Sequence, residues 1–127
     1  MKLFLTALTF LTVSIISAQD LTGKWANASF SGEENFAYVF SIEGTMEMFY
    51  AGEKVETEKP VTYTLTQKGD FHHLEFSYKR KNGSFSANVL GLIKFTGKNV
   101  MEFETFDKNN LPKELDFTEE SMMFRRE

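Results

Sequence analysis

The chain contains no cysteine, and only two prolines, two histidines and one tryptophan occur among its 127 residues. The lack of cysteine excludes disulfides, thiolate metal sites, a cysteine nucleophile and the lipid-bearing cysteine of a lipoprotein. Helical spacing of apolar residues is nearly absent too, because apolar and polar residues mostly alternate at period two. We therefore expect a β-structure held together by packing and backbone pairing alone.

Positive charge is also scarce. The chain has 14 Lys and Arg against 18 Asp and Glu, a net charge of −4, and the basic residues form no extended patch. Nucleic acids require clustered cations, so this class of partner is excluded. With 42% hydrophobic and 25% charged residues, the composition is typical of one globular domain.

The one long apolar run stands at the N-terminus. A basic start at Lys2 is followed by apolar residues 3–16 and by a small residue at Ala18. This pattern predicts a secretory signal peptide over residues 1–18, since a membrane-spanning anchor needs about 20 mostly apolar residues. We expect a domain of residues 19–127, secreted or periplasmic, with no membrane insertion after cleavage.

Eight segments of the remaining chain alternate in the manner of half-buried strands. They cover residues 21–30, 36–42, 45–50, 60–66, 72–79, 85–95, 100–106 and 119–126. Gly44 and the Asn82-Gly83 pair suit tight hairpin turns, and Gly91 predicts a bulge or bend inside the sixth strand.

Eight short strands, each with one apolar face, leave no strand edge unpaired when the sheet closes on itself. The predicted fold is therefore an all-β, eight-stranded antiparallel up-and-down barrel, and an open sandwich is the alternative. The longest connector covers residues 107–118, and its first part, residues 107–112, is a candidate lid over the open end. Glu102 and Glu104 are expected on a solvated outer face.

Two short motifs at the ends of the mature chain resemble those of the calycins, the superfamily of lipocalins, fatty-acid-binding proteins and avidins. Gly23-Lys24-Trp25 resembles the G-x-W signature, and the C-terminal Arg resembles the terminal-strand Arg. The resemblance implies that Trp25 plugs one barrel end while an Arg packs across its indole. Arg126 shares its parity with Met122 and Phe124, which favours it over Arg125.

The whole mature chain is similar in pattern to short lipocalin-like domains of exported bacterial proteins. Residues 21–27 are also similar to the first strand of avidins, in which the position of Asn27 contacts the ureido group of biotin. Avidin pockets are walled by several tryptophans, whereas this chain has Trp25 alone. Biotin is therefore not the expected ligand. The residues expected to close the end of the barrel are Gly23, Trp25 and Arg126.

If the apolar faces point inward, the chain's 14 Phe and six Met leave two alternatives, a filled core or a cavity for one small ligand. The predicted ligand contacts in the interior are Tyr38, Phe40, Met48, Tyr63, Leu65, Phe76, Tyr78 and Phe103. Buried tyrosine hydroxyls favour a pocket, because they require partners and can orient the polar end of a ligand.

Catalytic and metal chemistry have little support in the sequence. His72 and His73 are adjacent on a predicted strand and so point to opposite faces, which prevents them from chelating one metal. Nothing in the spacing marks a nucleophile and its base. We expect no enzyme activity, no metal and no cofactor. The predicted function is binding of a small hydrophobic or amphipathic ligand, and the alternative is a packed interaction or structural module without a ligand.

Overall fold

The computed structural model describes residues 21–27 and 36–127, which form strands, turns and loops. Their strands are β1 (Gly23–Asn27), β2 (Phe36–Phe40), β3 (Thr45–Tyr50), β4 (Glu53–Lys54), β5 (Val61–Lys68), β6 (Phe71–Lys79), β7 (Ser86–Gly97), β8 (Val100–Asp107) and β9 (Met122–Arg126). No membrane-spanning helix occurs in these two ranges. The predicted signal peptide, residues 1–18, and the last three residues of the first predicted strand lie outside them.

Eight of the strands form a closed ring. The hydrogen-bonded order is β2-β1-β9-β8-β7-β6-β5-β3, every pairing is antiparallel, and the ring closes where β2 pairs with β3. The two-residue strand β4 pairs only with the end of β3 and lies outside the ring. The predicted eight-stranded antiparallel up-and-down barrel is therefore confirmed.

The weakest junction of the ring is the one between β3 and β5. Only two residue pairs join these strands, Thr45 with Thr62 and Met46 with Val61. Farther along β3, the connector takes over the pairing, because the Val55 N–H donates to the Met48 carbonyl at 2.8 Å. The barrel wall is thus completed there by a loop rather than by a full strand.

The predicted bulge at Gly91 is wrong. Pairing continues through this residue to Leu74 on one side and to Thr105 on the other, and the irregularity lies between Phe95 and Gly97. Gly91 instead makes space for an aromatic ring, since a Cβ added there would lie 2.9 Å from Cε2 of Phe103. A side chain at this position would compete with the core for the same volume.

The two ends of the barrel differ, and we call them the base and the mouth. The base carries the turns at 41–44, 69–70 and 98–99, and the mouth carries the connections at 51–60, 80–85 and 108–121. Inward-facing side chains fill the barrel toward the base. The most deeply buried members of this core are Leu21, Trp25, Phe40, Leu74, Ile93, Met101, Phe103 and Phe124.

A second buried layer lies on the outside of the barrel. We call residues 108–121 the strap, because its second half returns along the outer face of β8. The strap residue Thr118 donates from its backbone N–H (2.7 Å) and its hydroxyl (2.6 Å) to the two carboxylate oxygens of Glu104. Ser121 donates to Glu102 at 2.7 Å, and Phe117 contacts the ring of Phe71 edge-on.

The expectation that Glu104 is solvated is therefore wrong. Its side chain is only 6% exposed, and it is the one polar or charged residue among the buried side chains of the described ranges. Leu90 and Leu92, whose side chains point to the outer face of β7, are also buried. The strap gives this part of the sheet two covered faces, which explains the continuous apolar run in β7.

Candidate functional site: the mouth of the barrel

The base of the barrel is sealed by the two ends of the described chain. Cζ of Arg126 lies 4.6 Å from the centroid of the Trp25 ring, and the two residues pair across β9 and β1. Arg126 also donates to the carbonyls of Thr22 (3.1 Å) and Lys98 (3.2 Å). The indole N–H donates to Leu21 at 2.8 Å, so the buried polar atom of the ring is satisfied.

Gly23 belongs to the same arrangement. Its φ of 116° is a conformation that L side chains rarely adopt, and a Cβ there would lie 3.5 Å from Cδ of Arg126. The glycine therefore allows the chain to enter β1 beside the arginine stem. Gly23, Trp25 and Arg126 are thus brought together at the base, and the Trp25 ring among them is completely buried.

Above the base, aromatic rings occupy the centre of the barrel. The ring of Tyr38 stacks on Phe40 with centroids 6.0 Å apart, and it is tilted against Phe103 at 5.4 Å and Phe124 at 5.6 Å. Phe40, Phe103 and Phe124 are each at most 1% exposed. This part of the interior is filled by protein.

The three inward-facing tyrosines have different environments. The Tyr63 hydroxyl donates to the Ser41 carbonyl at 2.8 Å, which ties β5 to the turn between β2 and β3. Burial, and to a lesser degree the nearby Tyr78, raises the pKa of Tyr38 to about 12. Burial also raises the pKa of Tyr78, against the effect of the positive charge on Arg80. All three are therefore neutral hydrogen-bonding groups at physiological pH.

A cavity of about 430 Å³ opens where β8 ends and β7 continues toward the mouth. Five of its lining residues point into the barrel as the core residues do: Tyr78, Ala87, Val89, Thr105 and Asp107. Their orientation follows from the register, in which Val89 pairs with Phe76 and Asp107, and Gly91 pairs with Thr105. The lining consists of Tyr78, Phe85, Ser86, Ala87, Asn88, Val89, Thr105, Phe106, Asp107 and Asn109. We call it the mouth cavity.

Solvent reaches the inner face of the sheet in this cavity. Thr105 and Asp107 are exposed although they continue the face of Met101 and Phe103, which are completely buried. The inner face of β8 thus changes from apolar and filled to polar and open within one strand. A volume of about 430 Å³ is within the usual range of small-molecule sites, about 300–1,000 Å³.

Two other cavities lie on the barrel wall. One of about 400 Å³ follows the junction of β3 and β5 and is bordered by the charged connector at residues 54–60. Another of about 560 Å³ adjoins the mouth cavity and shares five lining residues with it, but it extends over the outer face, where Thr62, Ser77 and Asn88 point outward. Neither is walled mainly by the inward-facing side chains of the barrel.

The eight predicted ligand contacts divide between core and mouth. Phe40, Met48, Phe76 and Phe103 are buried in the core, so their contact with a ligand stays a prediction. Leu65 and Tyr63 pack against the same core. Tyr38 lies in the centre of the barrel, and Tyr78 is the predicted contact that lines the mouth cavity.

The sequence interpretation missed most of the mouth cavity. The pattern gave no inward position to the polar Thr105 and placed Asp107 in the connector after the seventh strand, although both have the parity of Phe103. Ala87 and Val89 follow the same rule on β7, where Val89 faces the core residue Phe76 across the ladder. If the alternation of each predicted strand is continued by one or two residues into the adjoining loop, these residues fall on the inner face.

The structure separates the two histidines. His72 faces inward and contacts the ring of Phe95 edge-on at 5.0 Å. His73 pairs with Thr66 and Leu92 on the opposite parity, and burial followed by the charge of Lys68 lowers its pKa. Within residues 21–27 and 36–127, no three His, Asp or Glu side chains are grouped as a metal site would require.

Comparison with known proteins gives no relative of this barrel: no family model, no curated protein and no solved structure matches the chain.

Proposed function

We propose that the chain is an exported, lipocalin-like binding protein that holds a small amphipathic molecule at the mouth of its barrel. The observation that carries this proposal is the mouth cavity of about 430 Å³, where the exposed Thr105 and Asp107 continue the inner face of β8. Toward the base, the barrel interior is filled, so the ligand occupies the mouth rather than the full length of the barrel.

The lining of the mouth cavity suits a molecule with an apolar and a polar part. Tyr78, Phe85 and Val89 offer apolar surface, and Phe85 remains 52% exposed although it is a large aromatic side chain. Thr105 and Asp107 offer a hydroxyl and a carboxylate on the neighbouring strand, where Asp107 pairs with Val89. Binding would cover the exposed ring and leave the polar groups paired, which stabilises a complex.

The calycin resemblance supports this proposal from the other end of the molecule. The stacking of Arg126 on Trp25 is the arrangement that the G-x-W motif and the terminal Arg imply. In a lipocalin-like barrel, one end is sealed and the other admits the ligand. The apolar N-terminal run of residues 3–16 supports export, to the periplasm or out of the cell. We propose binding without catalysis or a cofactor.

Native mass spectrometry of protein purified from its own source tests this proposal. We expect a copurified small molecule that is lost when the cavity is filled by Thr105→Phe. The matched control is Thr66→Phe, since Thr66 is also an exposed threonine but carries the outward parity of β5. Retention of the same molecule by Thr105→Phe would contradict binding at the mouth.

The alternative function is an interaction or structural module without a ligand, and the filled lower barrel favours it. The core residues Trp25, Phe40, Phe103 and Phe124 need no ligand to complete their packing. In this case the purified protein carries no small molecule, and no amphipathic probe raises its melting temperature. Ligand-dependent stabilisation of the native state would contradict the module, because only binding to the folded chain produces it.

A further inference from the structure

Two aromatic rings form an open wedge at the mouth cavity. The centroids of Tyr78 and Phe85 are 6.0 Å apart, and the ring planes meet at 48°. Both residues line the cavity. The faces of such rings carry negative electrostatic potential and attract organic cations, as in the aromatic cages that bind quaternary ammonium groups.

A carboxylate stands in the same cavity. Asp107 ends β8, and its Oδ1 accepts a hydrogen bond of 2.9 Å from the backbone N–H of Asn109. This bond fixes the side chain without supplying a positive charge. Asp107 is the one charged residue among the ten that line the cavity. The lining therefore has a net negative charge.

The neighbouring cations have partners other than this carboxylate. Nζ of Lys108 lies 2.6 Å from Oε1 of Glu75, which carries the outward parity of β6. Lys79, also of outward parity, pairs with Glu58 at 3.5 Å. Arg80 lines a separate, shallow cavity that it shares with Glu56, and its positive charge also acts on the Tyr78 hydroxyl, whose pKa it lowers against the effect of burial. None of these three cations lines the mouth cavity.

We infer that the polar end of the ligand is an organic ammonium group, which lies against the exposed side of the Tyr78 and Phe85 rings and pairs with Asp107. The inference rests on the proposed function and narrows its ligand to cationic amphiphiles. An ammonium head group is attracted both by the aromatic faces and by the carboxylate. A carboxylate head is repelled by Asp107, and a neutral head gains neither electrostatic contact.

Three probes with the same decyl chain separate these cases: decyltrimethylammonium, decyl maltoside and decanoate, each below its micelle concentration. Binding is followed by ¹⁵N chemical shifts of the full mature chain. We expect decyltrimethylammonium to bind about three- to thirtyfold more tightly than decyl maltoside, the range of a desolvated cation–π contact. Decanoate is expected to bind most weakly.

The variant Asp107→Asn tests the carboxylate with little change of shape. Its side-chain oxygen can still accept the hydrogen bond from Asn109. We expect about three- to tenfold weaker binding of decyltrimethylammonium and unchanged binding of decyl maltoside. Asp70→Asn, in the exposed turn between β5 and β6 at the base, is the matched control and should change neither affinity. Phe85→Leu should also weaken the ammonium probe selectively.

The outcomes distinguish the inference from the function on which it rests. If no probe binds, the proposed function fails together with the inference. If all three bind alike, or if decanoate binds most tightly, the ammonium site is overturned while ligand binding stands. Equal effects of Asp107→Asn and Asp70→Asn would likewise overturn the site, since the loss would then reflect overall charge.

Discussion

The guanidinium of Arg126 lies over the indole of Trp25, with Cζ 4.6 Å from the ring centroid. Trp25 belongs to the first strand of the barrel and Arg126 to the last, and these strands pair directly. The arginine also donates to Thr22 and to Lys98. One side chain therefore connects three segments at the base of the barrel.

Removal of either partner should destabilise the barrel. We expect Trp25→Ala to lower the free energy of unfolding by about 3–5 kcal/mol, because the completely buried ring would leave a cavity. Arg126→Met keeps most of the stem but loses the hydrogen bonds and the ring contact, so a loss of about 1–3 kcal/mol is expected. Urea unfolding measures both. The exposed Arg125→Met is the control, with an effect within about 0.5 kcal/mol. A loss below about 1 kcal/mol for Trp25→Ala would contradict the plug.

Gly91 should tolerate no side chain. A Cβ at this position would lie 2.9 Å from Cε2 and 3.1 Å from Cζ of Phe103, a ring that is itself completely buried. Gly91→Ala should therefore cost about 1–3 kcal/mol of stability through overpacking. Gly97→Ala is the matched control on the same strand, since nothing lies within 4 Å of its added Cβ. Equal thermal stability of the two variants would show that Phe103 can move aside freely.

Glu104 should hold the strap on the barrel. Glu104→Ala leaves the backbone N–H and the hydroxyl of Thr118 without their acceptor, which should cost about 1–3 kcal/mol. Limited proteolysis should then cut within residues 108–121 faster than in the parent chain. Glu120→Ala, at an exposed strap position, serves as the control. Unchanged cleavage in Glu104→Ala would mean that the strap is held by other contacts.

Tyr38 should make the protein sensitive to strongly alkaline solution. Burial favours the neutral phenol and raises its pKa from 10.0 to about 12 in the folded state. A folded pKa above the unfolded one gives stability that is complete below about pH 10 and lost as the pH rises toward 12. Tyr38→Phe should flatten this decline and remove the highest-pH step of phenolate absorbance. The same decline in the variant would assign it to other groups.

The alternation of apolar and polar residues predicted the barrel because each strand has one face on the core. β3 was placed with its observed bounds, Thr45–Tyr50, since turn residues border it on both sides. The short strand β4 has no such pattern, because its two exposed residues contribute only backbone pairing. The place of the strap on the outer face, rather than over the open end, was not predicted for a different reason: period two identifies one buried face, whereas Leu90 and Leu92 are buried on the other.

The candidate site was harder to predict than the fold. The alternation of residues predicted that Tyr38 and Tyr78 point into the barrel. It does not predict the level at which the packed core ends and the open mouth begins. That boundary depends on the sizes of side chains from different strands at one level, such as Phe40, Phe103 and Phe124. Thr105 was missed because it is polar, although an open mouth allows polar residues to face inward, and Asp107 was missed because the predicted strand ended one residue before it.

The most direct test of ligand binding at the mouth is an NMR measurement of nuclear Overhauser contacts between the protein and bound decyltrimethylammonium. Contacts are expected to the methyl groups of Val89, Ala87 and Thr105, which line the mouth cavity. None is expected to Met101 or Trp25, which are completely buried toward the base. Contacts to these buried side chains, or to the outer-face Leu90 instead of Val89, would contradict a barrel that is sealed at its base and binds its ligand at its mouth.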